Sequence, residues 1–107
     1  MEKIEVQYLA EVKVQLNNLV LILYEKEYFS FLENSFDYVD KLIDFIEFQL
    51  TEFPFKQTPE ELIRYGSKYV FYKANNRTTW YIFFEHKNNR YLITYITNNH
   101  AEEINLL

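Results

Sequence analysis

Cysteine is absent, glycine occurs once and proline twice in 107 residues. Without cysteine there is no disulfide, no thiolate metal site and no Cys nucleophile. One glycine cannot build a phosphate-cradling loop, which removes P-loop and dinucleotide-binding readings. The two histidines, His86 and His100, stand far apart without metal-ligand spacing, so no structural zinc is expected. No apolar run reaches the ~18 residues that a membrane span needs. The stretch MEKIEVQYLAEV is charged and shows no signal-peptide pattern. The expectation is a cytoplasmic protein with no membrane contact, no metal and no cofactor. Basic residues are scarce early in the chain. Residues 1–62 hold five Lys against thirteen Asp or Glu, while residues 63–107 hold six Lys or Arg against three Glu. That asymmetry fits a polyanion or acidic partner at the basic end, or two halves that attract each other.

What is abundant is aromatic: ten Tyr, ten Phe and one Trp. A chain of this length is one domain, residues 1–107, and buries enough surface for a core without covalent staples. The aromatics concentrate in residues 68–100, where KYVFYK, RTTWYIFFEHK and RYLITYITNNH are separated by Asn-Asn pairs. β-branched and aromatic residues suit a pleated, half-buried surface. Asn tolerates the left-handed conformation of tight hairpin turns. The pattern predicts a three-stranded antiparallel meander.

Upstream, IEVQYL alternates with period two and predicts a short strand. From Glu11 the period lengthens, with Val12, Leu16, Leu19, Val20 and Leu23 at helical spacing. Residues 19–23 are apolar nearly all round and should be deeply buried. A second helix is expected from an N-cap at Asn34-Ser35, with Phe36, Val39, Leu42, Ile43, Ile46 and Leu50 as its apolar stripe and Pro54 as its stop. Together they form a helical hairpin. Thr58-Pro59-Glu60-Glu61 has the form of a capping box opening a short helix, which Gly66 ends. The form of AEEINLL is left open. The fold class is α+β: a short N-terminal strand, a helical hairpin and short helix, then the meander, with helices on one face of the sheet.

If each Asn-Asn pair is a two-residue loop, Tyr72 pairs with Thr79, Ile82 with Tyr95 and Trp80 with Thr97. One face then carries Tyr69, Phe71, Trp80, Ile82, Phe84, Ile93 and Tyr95 and packs on the helices. The other carries Lys68, Val70, Tyr72, Arg77, Thr79, Tyr81, Phe83, Leu92, Thr94 and Ile96, joined at its end by Asn98 and His100, with Arg77 opposite His100. A slip of one residue in either hairpin would exchange the faces. An open patch of Tyr81, Phe83, Leu92 and Ile96 is large for a monomer. It is expected to be covered by a partner, by a second copy or by the C-terminal residues.

Arg, His and Tyr together can cleave RNA without a metal. The 2′-hydroxyl needs a base, the developing phosphorane a cation, and the leaving oxygen a proton. His100 suits acid or base, Arg77 the cation, and Tyr72 a stacking or proton-relaying group. The same residues equally suit an ordinary polar sheet rim.

IEVQYLAEV entering the first helix, YVFYKANNRTTWYIFFE and the closing YLITYITNNH give this layout a resemblance to the RelE/ParE superfamily of type II toxin–antitoxin toxins. The resemblance spans most of the chain through order and pattern. It implies a toxin neutralised by a cognate antitoxin that wraps its sheet and helices. Members like RelE cleave mRNA in the ribosomal A site, and members like ParE inhibit DNA gyrase without nuclease residues. Arg77 matches the Arg opening the aromatic strand, and His100 or Asn99 the position after the last strand. Lys68 and Lys73 fall where nuclease members place strand lysines. Arg90, Asn98 and Asn99 complete the implied RNA-binding set. Two departures stand out. The last residues, AEEINLL, lack the Tyr usual in nuclease members, and the chain is acidic at −5 where those members are basic. A non-toxic interaction module of the same fold is the remaining reading.

Overall fold

A computed structural model describes residues 4–25, 32–50, 52, 54–101 and 104. Its elements are β1 (Glu5–Tyr8), α1 (Ala10–Glu25), α2 (Leu32–Asp44) with a π-helical continuation Phe45–Gln49, β2 (Lys56–Gln57), a 3-10 helix (Glu60–Tyr65), β3 (Lys68–Lys73), β4 (Thr79–Lys87) and β5 (Arg90–Asn98). The five strands form one sheet in the order β1-β5-β4-β3-β2. β1 runs parallel to β5, and the other pairs are antiparallel. The fold is α+β, with the meander at the centre of the sheet. No described helix is long and apolar enough to cross a membrane.

The two Asn-Asn pairs behave differently. Asn88 takes φ 57°, the left-handed conformation of a tight hairpin, and Lys87 pairs with Arg90 across the expected two-residue turn. The first turn is longer. Lys73 pairs with Thr79, and residues 74–78 form the loop. Asn75 closes it: its Oδ1 accepts from the backbone N–H of Arg77 (2.8 Å) and Thr78 (2.9 Å), an Asx-type turn in which the side chain replaces a backbone acceptor. The register therefore slips by one from the expected pairing, and Tyr72 lies opposite Trp80. A second irregularity lies in β5. Phe84 pairs with Ile93 but Phe83 with Tyr95, leaving Thr94 as a bulge.

These two shifts correct the expected faces. Val70, Tyr72, Trp80, Ile82, Phe84, Ile93 and Ile96 face the helices and join Val12, Leu16, Val39, Leu42, Phe45 and Ile46 in the main core. Tyr69, Phe71, Tyr81, Phe83 and Tyr95 lie on the other face. Ile96 is therefore core, not open surface. Phe83 is fully buried too, beneath Leu62 and Tyr65 of the 3-10 helix and Ile104. Of the covers expected for this face, the C-terminal residues contribute Ile104, and the 3-10 helix adds Leu62 and Tyr65, with Leu92 and Tyr81 half-buried.

The helices need smaller corrections. α2 begins before Asn34-Ser35, so neither is its cap, and Ser35 is wholly buried while Phe36 is half exposed. Leu19 is buried but Leu21 is half exposed, so burial does not run all round residues 19–23. Val20, Ile22 and Leu23 lie outside the described side chains. The capping box does not form. The Thr58 N–H donates to Ser67 O (3.1 Å), and its buried hydroxyl has no hydrogen-bond partner.

Candidate functional site

The far end of β5 and the loop of residues 74–78 meet in a corner stitched by asparagines. Asn99 extends the ladder beyond β5. Its N–H donates to Thr79 O (3.1 Å), its Oδ1 accepts from Thr79 N (2.9 Å), and its Nδ2 donates to Arg77 O (3.1 Å). Arg77 is thus held from both sides, at N–H by Asn75 and at C=O by Asn99. His100 meets the next residue, with Nε2 3.3 Å from Thr78 Oγ1, rather than standing opposite Arg77 as expected, and its backbone N–H donates to Asn98 Oδ1 (3.0 Å). The Arg77 and His100 side chains are exposed on a backbone fixed by polar bonds.

The remaining expected site residues divide between this corner and elsewhere. Lys73 closes β3 opposite Thr79 and belongs to the corner end. Asn98 and Asn99 act on the backbone of the corner. Tyr72 does not share the open face. Its ring lies 4.9 Å from Phe45 on the helix side, at the mouth of a pocket lined by Asn34, Asp37, Tyr38, Lys41 and Ala74. Lys68 also turns to the helix side, with Nζ 5.0 Å from the Phe55 ring centroid. Register thus places Lys73, not Lys68, on the face opposite the helices. Arg90 sits at the opposite end of the sheet, 3.8 Å from Glu5.

Next to the corner, on the face away from the helices, lies a shallow groove lined by Lys56, Tyr69, Phe71, Lys73, Thr79 and Tyr81. Phe71 is 47% exposed, and the Tyr81 ring stands 6.3 Å from it. Lys56 Nζ lies 5.4 Å from the Phe71 centroid, a cation–π distance. Burial, and after it the neighbouring Tyr81, raises the Tyr69 hydroxyl above its ordinary value, so it remains neutral. The sequence pointed away from this surface because the expected register had Phe71 in the core. The two-residue strand β2, which brings Lys56 there, carries no strand pattern of its own.

Among the described residues no group of His, Asp and Glu is placed to hold a metal ion. No protein-family model, curated protein or solved structure significantly matches this chain.

Proposed function

We propose that this chain is a toxin-like protein of RelE/ParE type that cleaves mRNA on the ribosome, with Arg77 and His100 as its reacting groups. The observation that supports the reading is the corner in which Asn75 and Asn99 hold the Arg77 backbone and His100 meets the adjoining Thr78. In the reaction His100 exchanges the proton of the attacking 2′-hydroxyl or of the leaving oxygen. Arg77 balances the charge of the phosphorane. The order of strand, two helices and meander supports the resemblance in layout. Tyr72, turned to the helices, has no part in this version. Phe36 and Phe48 stand exposed on the helical layer, Phe48 at 72%, and offer an antitoxin apolar anchors. Inducible expression in bacteria without an antitoxin should arrest growth, and Arg77→Ala or His100→Ala should relieve the arrest. Variants as toxic as the parent contradict the nuclease site. The acidic helices favour a second reading, a gyrase inhibitor without nuclease activity. A supercoiling assay with purified protein separates the two.

A further inference from the structure

We propose that the groove beside the corner binds an unpaired RNA strand, stacking bases on Phe71 and Tyr81 and holding phosphates with Lys56 and Lys73. The inference deepens the nuclease reading by giving the substrate strand a path to Arg77 and His100. Three observations carry it. Phe71 is half exposed in the middle of a strand, where an apolar ring gains nothing from water. Tyr81 stands beside it on the next strand, so the two rings offer neighbouring π-surfaces, the arrangement on which unpaired bases stack. The groove is also charge-complementary to a phosphate backbone. It carries two lysines, and none of its six lining residues is a carboxylate, although the whole chain is at −5. Lys56, now over the Phe71 ring, is exposed. A base arriving on the ring exchanges with its ammonium, which moves to the adjoining phosphate.

A duplex would present no free base to the rings. The test is fluorescence anisotropy of the full chain with a labelled, unstructured RNA decamer at several salt concentrations. The parent should bind with an affinity that falls as salt rises. Phe71→Ala should weaken binding about tenfold, the range of one lost stacking contact. Lys73→Ala should lower the salt slope by ~0.7, as expected for one phosphate contact on a single strand. Lys87→Ala, at the far sheet end, should leave the slope unchanged. Melting curves confirm that each variant is folded. Unaltered affinity of Phe71→Ala, a Lys87→Ala effect equal to that of Lys73→Ala, or tighter binding to a duplex of the same sequence overturns the proposal. The two readings fail separately. Phe71-dependent binding by a protein that cleaves no message removes the nuclease and keeps the platform. Message cleavage with Phe71→Ala binding like the parent does the reverse.

Discussion

At the scale of single residues, the side chains that shape this protein are small and polar. Asn75 and Asn99 fasten the Arg77 backbone, and Asn88 makes the second turn. Their concentration in pairs was readable as turn chemistry, but which pair makes a two-residue turn was not, since Asn suits both. Gly66 shows the same limit. Its position marked the end of a short helix, yet its main constraint is crowding from distant residues. A Cβ there would lie 2.6 Å from Thr94 Oγ1, 2.9 Å from Phe84 N and 3.0 Å from Phe83 Cβ. The Thr94 hydroxyl cannot simply turn aside, because it donates to Tyr65 O. Gly66→Ala should therefore cost about 1–3 kcal/mol through overpacking. A thermal melt should show that as a loss of several degrees. An unchanged melting temperature would mean that the strand-helix junction yields easily.

At the scale of elements, the strands and helices other than β2 were legible from periodicity, and the sheet faces were not. Alternation places neighbouring residues on opposite faces, but it carries no information about which face is inside when both are aromatic. Residues 69–72 of β3 and 80–84 of β4 are all apolar or aromatic, so one extra loop residue reversed β3 without leaving a trace in composition. The bulge at Thr94 then reversed half of β5. Hence Ile93 lay where expected, while Tyr95 and Ile96 exchanged places. The candidate site suffered in the same way. In its corner the His100 ring meets Thr78 rather than standing opposite Arg77, where the expected pairing had it, because that pairing too follows the register. Tyr72 and Lys68 were misplaced because they depend on it wholly. Alanine substitution reads the faces directly. Phe83→Ala should cost about 3–5 kcal/mol, as for a fully buried Phe. Phe71→Ala, at half exposure, should cost far less. Equal losses in chemical denaturation would contradict the assignment.

At the scale of the molecule, the sheet divides two environments. One face carries the main core and the acidic helices, and the other a smaller aromatic core that ends in the lysine-bearing groove. The first edge is tied down by Tyr8, whose hydroxyl donates to Glu47 (3.0 Å) across β1 and the π-helical segment. Burial, then that carboxylate, raises the Tyr8 hydroxyl well above its ordinary 10.0. Burial raises Tyr38 as well, although the Trp80 indole N–H, 2.8 Å away, pulls it back. These groups keep their protons in the fold after the unfolded chain has lost them. Above about pH 10 the unfolded state binds fewer protons, so stability falls as pH rises and is undiminished below that point. Tyr8→Phe removes the hydrogen bond, at a cost of about 0.5–1.5 kcal/mol near pH 8, and also removes one titration. The gap between parent and variant should shrink as denaturation is repeated up to pH 11. A gap that widens would contradict the sign.

On the proposed reading, the lysine-bearing groove on the sheet face opposite the helices is the surface that this acidic protein turns to RNA. Primer extension on a message being translated in a bacterial extract, with purified protein added, tests that claim most directly. New 5′ ends should appear with the parent, require ongoing translation, and vanish with Arg77→Ala combined with His100→Ala. Cleavage that survives the double substitution, or no cleavage by the folded parent, would contradict it.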